Sequence, residues 1–318
     1  MQVKKYSVET PYPVGVVHLY SCEIGGRLVL FDTGPHTEES RKLLEENLDL
    51  SRLEYVFVTH CHPDHYGQIK FLEDKGAKIV ISKYDTFKFE RLDECGAVMR
   101  DIYRELGAPD SEIELAHATL WKFQESVPFA QNYLVLEESG DLLDSLGVSY
   151  RRCAGHSQSD IVYLLDNYAV SGDVMLREIF TAPLLEVNYD MQKGRFCNYK
   201  AYCSTITTLK EISGREFLPS HRDYIDSFEE QVAFYVKKLI ERTVAVAIPL
   251  KSGKSVYETF VTIFGGQFDS HPFGKYIKIS EIIFMEDFLK NPGLLADSLI
   301  TNGIYDKVKK EFERINSL

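Results

Sequence analysis

The feature that most constrains the fold is a cluster of metal-binding residue types in the segment Thr59-His60-Cys61-His62-Pro63-Asp64-His65. The run just before it, YVFVT at 55–59, is mostly apolar, which is typical of a buried strand. Histidine and carboxylate together suit zinc, iron or manganese. Alternate residues of such a turn point in different directions, so His60 and His62 can bind one ion while Asp64 and His65 bind a neighbour. Cys61 lies between two of these positions, and we interpret it as a bystander.

Three further candidate ligands follow other short apolar runs. They are His156 in Ala154-Gly155-His156, Asp173 in Ser171-Gly172-Asp173, and His221 in Pro219-Ser220-His221. Each stands beside a small residue that lets the backbone approach closely. Because α/β folds build sites where the ends of several strands meet, we expect these side chains to converge with the first cluster.

Short β-like runs alternate with helical segments over the first part of the chain, which predicts an α/β layered fold. The predicted strands are 14–20, 27–31, 55–59, 78–82, 148–153, 161–165 and 168–171, with helices at 37–48 and 66–75 between them. Apolar residues recur at helical spacing over 84–126, which indicates a helical insertion. The pattern is again helical at 228–242, 256–264, 279–289, 292–299 and 304–315. We therefore expect a catalytic domain over 1–225 and a helical C-terminal domain or cap over 226–318.

The charge distribution argues against nucleic acid as a partner. The 318 residues carry a net charge of −12. Residues 226–318 have 12 basic and 13 acidic side chains, which leaves −11 for residues 1–225. An acidic catalytic half repels a phosphate backbone, so a small-molecule substrate is expected instead.

Cysteine usage and the N-terminus indicate the compartment. The six cysteines are scattered without a CxxC pair, which favours reduced thiols over a disulfide framework. The segment MQVKKYSVETPYPVGVV lacks the apolar run of a signal peptide, and no run is long enough to span a bilayer. We expect a cytoplasmic protein without a membrane partner, and a homodimer is a reasonable default.

The sequence resembles the metallo-β-lactamase superfamily. Its HxHxDH signature corresponds to His60, His62, Asp64 and His65, and the Asp32-Thr33-Gly34 turn matches an early turn of the family. The resemblance covers about residues 12–225 and implies an αββα sandwich. It also implies that His60, His62 and His156 hold one divalent metal ion (zinc, iron or manganese). On the same basis, Asp64, His65 and His221 hold a second ion, Asp173 bridges the two, and a hydroxide between them is the nucleophile.

Within the superfamily the intact motif is similar to that of glyoxalase II, lactonases, phosphodiesterases and the quinolone-signal response protein. Our first hypothesis is hydrolysis of a thioester or related acyl ester or lactone, with Asp64 also moving a proton to the leaving group. The alternatives are a small-phosphodiester hydrolase, a mononuclear iron enzyme like the persulfide dioxygenases, and a metal-bearing regulatory effector. In several relatives an insertion covers the metal cleft, which suggests an acyl or aromatic pocket made by Tyr84, Phe87, Phe89, Trp121 and Phe123. Weaker candidates for substrate contacts are Tyr189, Arg195, Arg222 and Tyr224.

Overall fold

A computed structural model of the chain describes residues 1–191 and 193–316. The first sheet has six strands in chain order. They are β1 (Val3–Glu9), β2 (Val16–Ile24), β3 (Arg27–Phe31), β4 (Leu53–Phe57), β5 (Lys78–Ile81) and β6 (Tyr133–Val135). The first three pair antiparallel, and β3 to β6 pair in parallel. The carboxyl ends of β3 to β6 therefore meet at one edge of this sheet.

The second sheet has four strands in the order β10-β9-β8-β7. They are β7 (Ser149–Arg152), β8 (Ile161–Leu165), β9 (Tyr168–Gly172) and β10 (Glu216–Pro219). Strands β9 and β10 pair in parallel, while β7, β8 and β9 pair antiparallel. The two sheets pack through aromatic side chains: the Tyr163 ring of β8 lies 5.4 Å from the Phe31 ring and 5.3 Å from the Phe57 ring, centre to centre.

Helices cover the outer face of each sheet. Strand β4 shows why, because Phe57 faces the second sheet while Val56 faces outward, as the period of a strand requires. The outward side chains of the first sheet pack on α1 (Glu38–Asn47), α2 (Pro63–Tyr66) and α3 (Ile69–Asp74). Helix α8 (Asn198–Glu211) covers the second sheet, and α7 (Gly140–Leu146) precedes β7. The result is the αββα sandwich expected from the sequence.

The insertion and the C-terminal segment are both helical. Between β5 and β6 lie α4 (Lys83–Glu90), α5 (Leu92–Glu105) and α6 (Asp110–Glu125). The C-terminal helices are α9 (Phe228–Lys251), α10 (Val256–Phe264), α11 (Pro272–Lys290), α12 (Pro292–Thr301) and α13 (Lys309–Asn316). The two groups touch, since Nζ of Lys275 on α11 lies 2.8 Å from a carboxylate oxygen of Glu112 on α6. In the part of the chain described, no helix is both long and apolar enough to cross a membrane.

Candidate metal centre

The histidine motif lies at the carboxyl end of β4, where the buried strand gives way to a short helix. Pro63 occupies the first position of α2, where its missing N–H would have no partner anyway. This turn directs the four side chains of the motif inward: His60 and His65 are buried, and Asp64 is 8% exposed. The six cysteines of the chain are all free, and Cys61 is buried in the same turn.

The other three candidate ligands come from the second sheet. His156 follows β7, Asp173 directly follows β9, and His221 follows β10. The approach of the two sheets at this point is close. Gly172 has a φ of +54°, and a Cβ there would lie 2.7 Å from Oγ1 of Thr59. Glycine therefore permits both the left-handed turn and the contact that brings Asp173 to the motif.

The structure brings all seven candidate ligands together in groups whose donor atoms lie within 4.8 Å of one another. The groups are His60, His62 and His156; His60, His65 and Asp173; and Asp64, His65 and His221. Asp173 joins them: its Oδ1 lies 3.6 Å from His65 Nε2 and 3.5 Å from His221 Nε2, and its Oδ2 lies 3.8 Å from His156 Nε2. These distances match the bridging position that the resemblance implies for Asp173.

The donor atoms fit metal ions because several are buried without a partner. Among the described residues, Nε2 of His60, His65 and His221 and Oδ1 of Asp173 have no hydrogen-bond partner. An unsatisfied buried polar atom is costly, and four of them converging on one point call for a ligand. Neutral imidazole nitrogens and a carboxylate are the donors that zinc, iron and manganese accept.

A second set of hydrogen bonds orients the imidazoles. Nδ1 of His156 lies 2.6 Å from the Ala182 carbonyl, and Nδ1 of His221 lies 2.6 Å from the Val16 carbonyl. Nδ1 of His65 lies 2.9 Å from Oδ2 of Asp32. Each of these Nδ1 atoms donates to an oxygen, so each Nε2 keeps its lone pair for the centre.

The pKa values of the cluster agree with a metal-binding role. Burial and the charge of His65 hold the pKa of His60 well below its usual value, and burial and His156 do the same for His62. Neutral imidazole is the form that binds metal. In the absence of a bound ion, the carboxylates of Asp64 and Asp173 outweigh burial and raise the pKa of His65. His65 therefore has to release its Nε2 proton when a metal ion binds.

An apolar cavity of about 370 Å³ opens onto the metal centre. Its walls come from the motif loop, α4 and α5 of the insertion, the segment 176–189 and α11. They include His62, Asp64, His156, Asp173, Tyr12, Lys88, Leu92, Cys95, Gly96, Met99, Leu184, Glu186, Tyr189, Phe273, Tyr276 and Ile277. The volume falls within the range of small-molecule pockets, about 300–1,000 Å³. The insertion and the C-terminal helices therefore help to form the cavity, as the resemblance suggested for the insertion.

Among the aromatic residues proposed from the sequence whose side chains are described, Tyr189 lines this cavity and the others do not. Phe89 stacks on Phe129 at 3.7 Å, and the Tyr84 ring lies 3.8 Å from the Arg152 guanidinium. These contacts turn both rings into the packing of α4. Phe87 packs on Tyr189, behind the cavity wall, with ring centres 5.4 Å apart. The side chains of Trp121 and Phe123 lie outside the described residues.

Arg195, Arg222 and Tyr224 also do not line the cavity. Arg195 forms a two-pronged ion pair with Asp287 on α11, at 2.8 and 2.6 Å. The Arg222 carbonyl accepts a hydrogen bond from the His18 ring, and Tyr224 is exposed at the surface. The sequence analysis missed Tyr12 and Lys88, because a single tyrosine or lysine outside a motif gives no signal. Burial and the charge of Asp64 raise the pKa of Tyr12 to about 12, so its phenol stays protonated beside the centre.

Two packed sheets between helices, with a buried histidine and aspartate cluster at one edge, define the class of metal-dependent hydrolases. The model of the metallo-β-lactamase superfamily matches residues 13–238. Because that match spans most of the chain, the protein belongs to this superfamily.

Three relatives illustrate the similarity. The chain is 26% identical over 253 residues to the probable metallo-hydrolase YqjP of Bacillus subtilis (strain 168), covering 74% of this chain and 76% of that protein. The structure of the metallo-beta-lactamase family protein TTHA1429 from Thermus thermophilus has a TM-score of 0.71 and 22% identity, with 92% of this chain and 94% of that chain covered. A beta-lactamase domain protein from Burkholderia ambifaria has a TM-score of 0.68 and 21% identity, with 92% and 87% covered. The structural likeness therefore extends over more of the chain than the family model matches.

Proposed function

We propose that the protein is a binuclear metal-dependent hydrolase that cleaves a thioester or a related acyl ester or lactone. The observation that carries this proposal is the convergence of three ligand groups, with Asp173 near the histidines of all three, at the mouth of an apolar cavity. The similarity to a probable metallo-hydrolase supports the reaction type.

Two divalent ions, zinc, iron or manganese, would share the seven ligands. His60, His62 and His156 would hold one ion and Asp64, His65 and His221 the other, with Asp173 between them. When bound, the ions supply hydroxide at neutral pH and polarise the carbonyl oxygen of the substrate. The protein orients the ligands and provides the cavity, and an acyl chain bound there displaces water from it.

Asp64 is the residue best placed to move a proton. It lines the cavity, and its Oδ2 lies 3.4 Å from His221 Nε2. The His65 and His221 rings overcome the effect of burial and keep the pKa of Asp64 below its usual value, so the carboxylate is ionised. An ionised carboxylate at the cavity wall can accept a proton from the nucleophile and pass it to the departing thiol or alcohol.

The cavity favours an acyl substrate over a phosphodiester. Its walls are mostly apolar, and the chain carries a net charge of −12. An apolar cavity stabilises a hydrocarbon chain by removing it from water, and a small phosphodiester without such a chain gains less from this cavity. The acidic surface also disfavours nucleic acid as a partner, and the cytoplasmic location and the homodimer stay predictions.

The test combines metal analysis with matched substrates. The parent protein and its His62→Ala variant are purified without added metal and analysed for metal content. Both are then assayed on an octanoyl thioester, an eight-carbon lactone and a bis-aryl phosphodiester. We expect about two equivalents of metal in the parent, less metal in the variant, and turnover of the thioester or lactone.

Three results would favour one of the alternatives. Turnover of the phosphodiester alone would favour a phosphodiesterase. A single iron with no hydrolysis would favour dioxygen chemistry. An Asp173→Ala variant that loses hydrolysis but keeps the protein's effect in cells would favour a regulatory effector.

A further inference from the structure

The cavity contains a feature that an apolar acyl chain alone does not explain. Lys88, on α4, lies in its wall beside His62, and its ammonium donates a hydrogen bond to the Cys61 carbonyl at 3.3 Å. Cys61 stands between two ligand positions, so this charge lies at the edge of the metal centre. The hydrogen bond therefore fixes the ammonium group at the metal end of the cavity.

Lys88 has binding capacity that the protein does not use. An ammonium group has three donors; one is taken by the Cys61 carbonyl, and the ammonium also lies 5.8 Å from the centre of the Phe89 ring. Among the described residues, no carboxylate oxygen lies within 4.0 Å of the Lys88 nitrogen. The neighbouring acids are already engaged: Asp85 accepts from the Cys61 N–H at 3.1 Å, and Glu186 accepts from the Gln158 N–H at 2.6 Å.

A half-buried cation without an ion-pair partner, in the wall of an apolar cavity, is expensive unless an anion joins it. We propose that Lys88 binds an anionic group of the substrate close to the scissile bond, while the apolar cavity holds its acyl chain. The substrate class is therefore an anionic amphiphile: one aliphatic chain with a carboxylate or similar group beside the thioester or ester.

The volume of about 370 Å³ lies within the range of small-molecule pockets, which suits a substrate with one acyl chain. This inference names the substrate class of the proposed hydrolase and in that sense rests on it.

A binding experiment tests the site without requiring hydrolysis. Zinc-loaded protein is titrated calorimetrically with 1-octanesulfonate and with 1-octanol, which share one chain and differ in charge. We expect the parent to bind the sulfonate more tightly, and Lys88→Met to lose about tenfold of that affinity while octanol binding stays unchanged. Lys88→Arg should keep the preference for the anion.

The controls distinguish two roles of Lys88: binding an anionic ligand, and holding the Cys61 loop through its hydrogen bond. Lys83→Met, on the same helix but exposed, should bind both probes like the parent. Ile277→Trp, which fills the cavity, should weaken both probes alike. Equal binding of the two probes by the parent, or an equal loss of both in Lys88→Met, would overturn the proposal, because the lysine would then only hold the Cys61 loop.

A kinetic pair extends the test to the scissile bond. Octanoyl-N-acetylcysteine and octanoyl-N-acetylcysteamine differ only in a carboxylate beside the thioester. We expect a lower KM for the first, and Lys88→Met should abolish that difference in KM between the two thioesters. If neither thioester is hydrolysed but the sulfonate preference depends on Lys88, the proposed function fails and the anion site stands. If the thioesters are hydrolysed but the preference for the anionic compounds does not depend on Lys88, the anion site is refuted and the proposed function stands.

Discussion

Single side chains outside the ligand set control the metal centre, and Asp32 is the strongest case. Its carboxylate accepts from the Thr59 N–H and hydroxyl, each at 2.8 Å, and lies 2.9 Å from Nδ1 of His65. One buried carboxylate thus fixes both the start of the motif loop and the orientation of a ligand imidazole. Loss of such an outer contact typically costs about 10- to 100-fold in metal affinity.

Asp32→Asn therefore tests the role of this carboxylate. The backbone at Asp32 has a φ of +58°, which asparagine also tolerates, so the substitution changes hydrogen bonding more than shape. We expect weaker metal binding by about 10- to 100-fold, measured by competition with a chelator of known affinity. Asp166→Asn is the matched control, because Asp166 also has a positive φ but is exposed and distant from the ligands. Equal metal affinity of the two variants would refute the orienting role of Asp32.

Asp85 should give stability a pH dependence of its own. Burial raises the pKa of Asp85 to about 7, although the nearby charge of Lys88 opposes the rise. In the unfolded chain the carboxyl has its ordinary pKa near 3.9, so between about pH 4 and pH 7 the folded state binds more protons than the unfolded state. Its contribution to stability is complete below pH 4 and is lost as the pH rises through 7.

The measurement compares the free energy of unfolding of the parent and Asp85→Asn at several pH values. Relative to the variant, the parent should lose stability from pH 4 to pH 7, by up to about 4 kcal/mol for a shift of three pKa units. Asp49→Asn serves as a control with the opposite pH dependence. Hydrogen bonds from Ser51 lower the pKa of Asp49, so relative to this variant the parent should lose stability as the pH falls. If the free energy of unfolding of the parent and of Asp85→Asn changed with pH in parallel, the raised pKa of the Asp85 carboxyl would be contradicted.

The sequence predicted the ligand candidates better than the residues around them. Three histidines and an aspartate within six positions make a chemical pattern that does not depend on knowing the packing. Lys88 and Tyr12 are ordinary residues of a helix and a loop, and they matter only because the fold places them at the cavity. Tyr84, Phe87 and Phe89 do not line the cavity for the converse reason: apolar spacing indicates a buried face without showing which partner covers it.

At the scale of elements, hydrogen bonds between residues close in sequence fix where a helix begins. Helix α10 begins with a capping box: the Ser255 hydroxyl accepts from the Glu258 N–H at 3.1 Å, and the Glu258 carboxylate accepts from the Ser255 N–H at 2.8 Å. These two bonds satisfy backbone groups that a helix start leaves open. The helix then presents Phe260 to the shared core of the C-terminal helices.

Ser255→Ala should lower the free energy of unfolding by about 1 kcal/mol, the usual cost of losing such a cap. Urea denaturation followed by circular dichroism measures it. Ser252→Ala is the control, since Ser252 follows the end of α9 and its hydroxyl donates to a carbonyl of the same helix rather than starting one. A similar loss in both variants would mean that the box contributes no more than an ordinary surface hydroxyl.

The sequence predicted many of the elements and missed others. The sequence analysis missed β1 and β6, each of which is paired with a neighbouring strand, and it also missed the helices α7 and α8. It ended the long C-terminal helix at 242, whereas α9 continues to Lys251 and includes Pro249. The apolar run after Arg242 extends this helix because Thr243, Val246 and Ala247 are buried in the packed structure, which sequence spacing alone does not reveal.

At the scale of the whole molecule, the C-terminal helices share a core with the sandwich. Val232, Val236 and Leu239 of α9 belong to the same buried cluster as Ile206 of α8 and Phe217 of β10. Helix α11 also reaches the cavity wall, where the Tyr276 hydroxyl donates to the Leu185 carbonyl at 2.7 Å. The boundary near 225 that the sequence suggested therefore separates patterns of secondary structure and runs through a continuous core.

A chain that ends at residue 225 should consequently not fold to a stable metal-binding domain. Removing α9 and α11 uncovers apolar side chains of α8 and β10, and burying a large side chain contributes about 1.5–3 kcal/mol. Total stability is only about 5–15 kcal/mol, so the loss of several such contacts exceeds it. We expect aggregation or a non-cooperative thermal transition for residues 1–225, and rescue when residues 226–318 are expressed as a second chain. A soluble 1–225 fragment with a cooperative transition and bound metal would instead make the helices an independent cap, and the cavity would then have to be formed by docking of that cap rather than by folding.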